Sequence, residues 1–402
     1  MTPSPREVRG SERLEGRKLG VVGIGGAGLS AYAQLARAWG ATVGGWDRLE
    51  TPYLAPLAGE QIEISAEPVV PDGWEAIVSS AYPAVRGKRR SELLAELAGL
   101  QRSIVVAGSH GKGTTAAMIA YVLLETGNDP AWLIGAPVPQ LGGNAGAGEG
   151  WLVIEGDESD RTVFRLPAEI AVITNVELDH HSEFASLAEL EDEFDGWAAR
   201  ALHAVRDAPP YEGELAVPGE HNRLNAGAAL AALELAGVAR AEAEHALARF
   251  GGTGRRFEVS AAGGVTIVDD YAHHPAELAA TIAAAREAFP GRRLRVLFQP
   301  HLVSRTRHLA GELGAALSGA DDIVVTDVYA AREVPEAGVS GKLVVDALSD
   351  RGRLVAWIPD LETASAYLAR RAGAGDVGLV AGAGDVDRVP AMLRAELDGR
   401  RR

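Results

Sequence analysis

Between residues 103 and 115 the chain reads SIVVAGSHGKGTT. The β-branched run at 104–106 predicts a buried strand, broken by the turn Gly108, Ser109, His110, Gly111. Lys112 follows, then Gly113, Thr114 and Thr115, and an apolar helical pattern occupies 116–124. This order suits the holding of a phosphate chain. Glycines let backbone N–H groups approach phosphate oxygens, a helix N-terminus adds partial positive charge, lysine neutralises the outer phosphates, and a hydroxyl can ligate Mg²⁺. The strict P-loop pattern is not met. Val106 stands where its first glycine belongs, and Lys112 is followed by Gly113 and not by Ser or Thr.

Further along, EGDESD at 155–160 and TNVELDHH at 174–181 each follow a β-branched run. They predict two adjacent parallel strands whose ends carry carboxylates and imidazoles at the edge that bears the glycine turn, where open α/β sheets bind ligands. Oxygen and imidazole donors beside a phosphate site suit Mg²⁺ better than a closed zinc cage. The plainer reading of Glu155 is a helix-capping acid. His221, Asn222 and Asn225, at the start of an alanine-rich helix over 226–236, have N-capping as their plainer reading. Seven of the ten histidines (110, 180, 181, 221, 273, 274 and 301) fall in such polar clusters.

The elements that must position these groups are legible in outline. A strand at 19–22 enters Gly23, Gly25, Gly26 and Gly28, a helix covers 29–39, and a strand at 41–46 ends at Asp47. Formally this is a dinucleotide fingerprint, although such a turn also serves helix–strand packing alone. A strand at 77–81 carries Ser80, and the basic run 86–90 reads more readily as a solvated loop than as a phosphate contact. A glycine-rich loop is expected at 135–150, an acidic amphipathic helix at 185–205 and a hinge at 251–257. The last third alternates strands (265–268, 294–298, 323–326, 354–357, 377–381) with helices, which predicts a mostly parallel sheet covered on both faces.

Composition narrows the class. A chain of 402 residues exceeds one ordinary core, so two or three domains are expected. A net charge of −16 argues against a nucleic-acid or anionic-membrane surface, so an anionic ligand must be held by local basic groups and helix ends. With no cysteine, disulfides, thiolate metal sites and a cysteine nucleophile are excluded. No secretory signal or membrane-length apolar run is visible, and a cytoplasmic enzyme is the expectation.

Taken in order, the motifs resemble the Mur ligase family of ATP-dependent amide-forming enzymes. The matching stretches are GIGGAG at 23–28, AGSHGKGTT at 107–115, EGDESD at 155–160, TNVELDH at 174–180 and GEHNRLNA at 219–226. GTGRRF at 252–257, DDYAHHP at 269–275, FQPH at 298–301 with RTR at 305–307, and GAGDV at 382–386 complete the series. The resemblance implies an α/β fold of three domains: a Rossmann-like UDP-sugar domain over 1–101, a central P-loop ATPase-like domain over 102–250, and a Rossmann-like C-terminal domain over 251–402. It implies ATP and Mg²⁺, small-molecule substrates (a UDP-sugar acid, an amino acid and ATP), and no nucleic-acid or membrane partner.

Residue by residue, the resemblance gives Lys112 and the 108–111 backbone to the ATP phosphates. Glu155, His180 and a hydroxyl of Thr114 or Thr115 would go to Mg²⁺, and His221, Asn222 and Asn225 to the adenine side. Arg256 and Asp270 would contact phosphate and ribose. Gly23, Gly25, Gly26 and Gly28, with Asp47 and Ser80, would serve the UDP-sugar. Tyr271, His273 and His301 would line the amino-acid pocket of the alanine-adding branch. That branch carries arginine after the histidine, where this chain has Leu302, so Arg305 or Arg307 is expected to supply the cation. The chain is also short for the family, by roughly one α/β unit between Ala81 and the phosphate loop. A nicotinamide-dependent oxidoreductase would account for GxGxxG and Asp47, but it gives the second phosphate loop no purpose.

Overall fold

Alternation of buried apolar strands with helices sorts the chain into three mixed α/β sheets, seen in a computed structural model that describes residues 13–178, 183–331 and 333–399. The first sheet contains β1 (Lys18–Val22), β2 (Thr42–Asp47), β3 (Gln61–Ile64), β4 (Glu75–Val78) and β5 (Lys88–Arg89). All its pairings are parallel, in the order β3-β2-β1-β4-β5, with helices α1 (Ala27–Ala38) and α2 (Arg90–Gly99). The expected 41–46 strand thus extends to Asp47, and the helix begins inside the glycine turn.

The second sheet contains β6 (Ser103–Ala107), β7 (Ala131–Val138), β8 (Gly143–Gly146), β9 (Leu152–Glu155), β10 (Ile170–Ile173) and β11 (His203–Val205). Its order is β11-β10-β6-β9-β7-β8. The two acid-bearing strands, expected to be neighbours, are β9 and β10, and they lie on either side of β6. This order leaves β6, the strand that enters the phosphate loop, in the interior of the sheet. Two further expectations are corrected. The stretch 135–150 is not a loop but largely the antiparallel β7–β8 hairpin. The stretch 185–205 holds the shorter helix α4 (Leu187–Ala198), whose last turn tightens at 199–202 before β11.

Helix α3 (Lys112–Glu125) is buried on all sides from Thr114 to Leu123, as expected of a helix apolar all round. α5 (Glu220–Leu235) starts a turn and a half before the alanine-rich run, so His221, Asn222 and Asn225 lie within the helix and not before it. α6 (Arg240–Leu247) follows. One compact unit comprises the described residues up to Ala216 with Arg223–Thr253. A second comprises Val217–Asn222 and the described residues from Gly254 onward.

The second unit holds the third sheet: β12 (Glu258–Ala262), β13 (Val265–Asp270), β14 (Leu294–Phe298), β15 (Asp322–Val325), β16 (Val355–Trp357) and β17 (Val377–Ala381), ordered β12-β13-β17-β14-β15-β16. Only the β12–β13 pair is antiparallel. Alternate residues of each strand feed opposite cores. Val296, Phe298, Ile323 and Val325 pack with α7 (Pro275–Ala288), α8 (Val303–Leu317) and α9 (Lys342–Ser349). Leu297, Val324 and Val380 pack with α10 (Leu361–Arg371) and α11 (Val389–Gly399). The expected two-faced cover is therefore present. Among the described residues no helix is long and apolar enough to cross a membrane.

Candidate active site

In the first unit, β6 delivers the chain into Gly108 at φ +124° and Gly111 at φ +77°, and α3 begins at Lys112. Both glycines are required. A Cβ on Gly108 would overlap Thr174 Oγ1 and the Asn175 backbone, and one on Gly111 would overlap the Asn225 amide. The end of β10 braces this turn. Ser109 N–H donates to Asn175 O (3.0 Å), His110 N–H to Asn175 Oδ1 (2.8 Å), and Thr174 Oγ1 to His110 O (2.6 Å). Ser109 Oγ donates to Glu177 O at 2.7 Å and accepts from Glu177 N–H at 2.8 Å. His110 Nε2 stands 3.3 Å from a Glu177 carboxylate oxygen. Thr174 and Asn175 were visible in TNVELDH only as a motif match; their work as the frame of the turn depends on β10 lying beside β6.

Lys112 Nζ donates to Gly108 O (2.7 Å) and Ser109 O (3.1 Å), and lies 2.9 Å from Glu158 Oε2. Burial disfavours its charge, but the attraction of Glu158 and Asp157 outweighs burial and raises its pKa above the ordinary lysine value. Glu158 is 2% exposed. The sequence offered it only as one acid in a run of them. Glu155, at the end of β9, accepts from Gly135 N–H at 2.5 Å through Oε2. It also faces Gly113, where a Cβ would stand 3.1 Å from that same oxygen. Gly113 is thus where the backbone makes room for the carboxylate. Thr114 and Thr115 follow within the first turns of α3, both buried, and Thr115 Oγ1 has no hydrogen-bond partner among the described residues. His180 lies outside the described residues, as does His181.

Two observations test whether this turn fits nucleotide phosphates and Mg²⁺. The turn carries left-handed glycines at 108 and 111, packed closely on Thr174, Asn175 and Asn225, and it lies at a helix N-terminus beside a largely buried ammonium. Glu155 supplies a carboxylate of the hard-oxygen type that Mg²⁺ prefers. The residues fit both groups.

The first glycine turn lies in the same unit. Asp47 is not extended toward solvent: its Oδ2 accepts from Gly25 N–H at 2.7 Å and its Oδ1 from Arg48 N–H at 2.7 Å. Thr51 Oγ1 donates to Gly25 O at 2.7 Å. Gly23 takes φ +86° and a Cβ there would meet Ser79 at 2.8 Å, whereas Ser80 is exposed. Gly26 is the N-cap of α1, and Gly28 lies in its first turn. In the basic run expected to be solvated, Arg86 and Arg89 are exposed, but Lys88 and Arg90 are held in ion pairs. Lys88 pairs with Glu75 and Glu96, and Arg90 reaches Asp157 at 2.9 Å and Asp160 at 2.6 Å.

In the second unit, the turn after Gly254 places Arg255 (φ +55°) and Phe257 (φ +54°) in the left-handed region. Asp270 secures it, accepting from Phe257 N–H at 2.8 Å and from Ala272 N–H at 2.8 Å. Burial raises the Asp270 pKa, with Arg256 and the two N–H groups pulling the other way. Arg256 lies 5.2 Å from the Tyr271 ring centroid and 3.5 Å from Glu277 Oε1. Tyr271, His273, His301 and Tyr329 form a chain of rings. Successive centroids are 5.3, 5.6 and 5.9 Å apart, the last pair stacked. Tyr329 was not singled out from the sequence; the bridge between His301 and Tyr329 brings it there.

Leu302 takes φ +69°, rare for a branched side chain, as the N-cap of α8. Arg305 is 6% exposed, and its Nη1 lies 3.2 Å from His301 Nδ1, so it sits behind that imidazole. Arg307 is exposed and pairs with Glu336 at 3.0 Å. His221, whose pKa burial and Arg256 both lower, also belongs to this unit, with Asn222, whose side chain donates to Pro218 O at 2.7 Å. Asn225 belongs to the first unit.

Residues 255–384 match the family described as Mur ligase, glutamate ligase domain. A UDP-N-acetylmuramate–L-alanine ligase of Kineococcus radiotolerans is 39% identical over 461 aligned positions, covering 96% of this chain and 97% of the relative. One from a Nocardioides species is 39% identical and covers 99% of both chains. The alignment with the former is longer than this chain, so the relative carries segments absent here, as the spacing of the motifs suggested. Among solved structures, a UDP-N-acetylmuramate–alanine ligase of Thermotoga maritima superposes with a TM-score of 0.78 at 26% identity, covering 95% of this chain and 99% of that one. At 39% identity over nearly the full length of these relatives, the chain belongs to the Mur ligase family.

Proposed function

We propose that the chain is an ATP-dependent ligase of peptidoglycan precursor synthesis, joining L-alanine to UDP-N-acetylmuramate. The observation that carries this reading is the phosphate cradle of β6 and α3 lying between two acid-bearing strands, in a chain similar over its length to ligases of that name. The acid substrate's carboxylate oxygen attacks the γ-phosphorus of ATP and the bond to the β-phosphate oxygen breaks, releasing ADP. The amine then attacks the carbonyl carbon of the acyl phosphate, and inorganic phosphate leaves as the amide forms. No nucleophilic side chain is required. Lys112 and the 108–111 turn at the start of α3 offset phosphate charge, while Thr174 and Asn175 hold that turn in place through the Ser109 and His110 backbone.

Mg²⁺ would be held by Glu155 with Thr114 and His180, and would supply further charge neutralisation at the phosphates. His221, Asn222 and Asn225 serve the adenine side, Arg256 and Asp270 the phosphate and ribose. Gly23, Gly25, Gly26 and Gly28, with Asp47 and Ser80, serve the UDP-sugar in this reading. Asp270 also positions Arg256, since its Oδ2 accepts from Phe257 N–H in the turn that carries that arginine, while its Oδ1 accepts from Ala272 N–H. The amino acid lies against Tyr271, His273 and His301. The work is cytoplasmic and its partners are small molecules.

A second reading keeps the chemistry and changes the amine to another amino acid or a peptide. Leu302 favours it, because leucine offers no partner to an amino-acid carboxylate, and Arg305 is engaged with His301. ADP release by purified protein, with UDP-N-acetylmuramate and a panel of amino acids and short peptides, separates the two. Turnover with L-alanine is expected. Turnover confined to another amine overturns the first reading, and no ADP release with any pair overturns both. On the first reading Leu302→Arg lowers the KM for L-alanine and leaves the KM for ATP unchanged.

A further inference from the structure

Arg90, the first residue of α2, is the last of the basic run and lies between the first glycine turn and the loop after β9. Its Nε donates to Asp160 Oδ2 at 3.0 Å, and its Nη2 donates to Asp160 Oδ2 at 2.6 Å and Asp157 Oδ2 at 2.9 Å. Two of its three nitrogens are therefore committed to the loop after β9, the loop that also carries Glu158. The third, Nη1, has no hydrogen-bond partner among the described residues. It faces the first glycine turn: a Cβ on Gly28 would stand 3.6 Å from Nη1 and 3.9 Å from the Tyr32 hydroxyl. The guanidinium is only 20% exposed, so its free edge is aimed by the two aspartates and not by solvent.

We propose that Arg90 is a binding residue for the acid substrate, its Nη1 donating to an anionic oxygen of the molecule seated on the Gly23–Gly28 turn while Asp157 and Asp160 fix the fork. This rests on the function proposed above, which places a UDP-sugar acid on that turn. The geometry asks for arginine in particular. A guanidinium offers a rigid planar fork that serves three acceptors in fixed directions, whereas an ammonium is a point charge on a flexible stem. The same contact ties the acid-substrate turn to the acidic loop that holds Lys112 through Glu158. The side chain that receives the acid thus also braces the ATP side.

The test is Arg90→Lys in the full chain, with steady-state ADP release measured while each substrate is varied in turn. Loss of one charge-assisted hydrogen bond raises the KM for UDP-N-acetylmuramate by about tenfold or more. The KM for ATP stays within about threefold, as expected for a residue that does not touch the nucleotide. Asp160→Asn, which keeps the arginine and its Asp157 pair but loosens the fork, gives a smaller rise in the same KM. Equal increases in both KM values, in step with a lowered melting temperature, would make Arg90 a structural brace and overturn the proposal, as would an unchanged KM for the acid. Wild-type protein that fails to turn over UDP-N-acetylmuramate overturns the proposed function and this role together, so the two failures are distinguishable.

Discussion

Lys112 Nζ and Glu158 Oε2 stand 2.9 Å apart, with the carboxylate side chain 3% exposed and the lysine side chain 16% exposed. Burial disfavours a charged ammonium, yet the pair with Glu158 keeps it charged. The phosphate-loop lysine is therefore pre-charged and pre-aimed, held by Glu158 and by the carbonyls of Gly108 and Ser109.

Breaking that pair from either side has different consequences. Lys112→Met leaves Glu158 buried without its cation, which costs about 3–5 kcal/mol of stability and abolishes ADP release. Glu158→Gln keeps the lysine but frees its aim, so kcat falls by about tenfold or more while the protein remains folded. The double variant regains much of the stability lost in Lys112→Met and none of the activity. Thermal melts and ADP release on the four proteins of this cycle check each statement. Full activity in Lys112→Met would remove the lysine from phosphoryl transfer.

The two glycines of the phosphate turn differ from glycines that merely tolerate a positive φ. Gly111→Ala must accept both a left-handed backbone and an overlap with the Asn225 amide. Gly59→Ala has φ +94° but open space around the new methyl. The expected loss is about 1 kcal/mol for Gly59→Ala and at least twice that for Gly111→Ala. Calorimetric titration with ADP is expected to show weakened binding for Gly111→Ala alone.

Asp269 lies beneath the Arg255 turn, and burial pushes its pKa up to about 6 against the pull of Arg255. In the unfolded chain it titrates near the ordinary value of 3.8. Between those two values the folded protein binds the extra proton, so this group's contribution to stability is greatest at the acid end and declines as pH rises to about 6. Above that it is constant. The melting temperature of the wild type minus that of Asp269→Asn, followed from pH 4 to 7, is expected to fall and then level. A difference that rises with pH would show that the Arg255 pair dominates.

Much of the local design is settled by sequence alone, because it depends on residues close in the chain. Short apolar runs at 104–106, 152–154 and 377–381, bounded by turn residues, suit strands buried on both faces. The phosphate turn is legible for the same reason: Gly108, Gly111 and Lys112 carry their backbone and charge requirements within five residues. What was misread lies in pairings between distant segments. The segment at 135–150 looks like a loop until β7 and β8 find each other, and Arg90 of the basic run looks solvated until Asp157 and Asp160 arrive beside it.

Sequence by itself determined the family, the order of the strands along the chain, and the residue types able to hold phosphate. Tertiary structure decided which carboxylate meets which cation. Glu155 and Glu158 are both acids of one short motif, and nothing local distinguishes them. Sheet order puts β9 beside β6, turning Glu155 toward Gly113 and Gly135 and Glu158 onto Lys112. A charge's role is set by its partner and its burial, and both are fixed only when segments far apart in the chain are packed together.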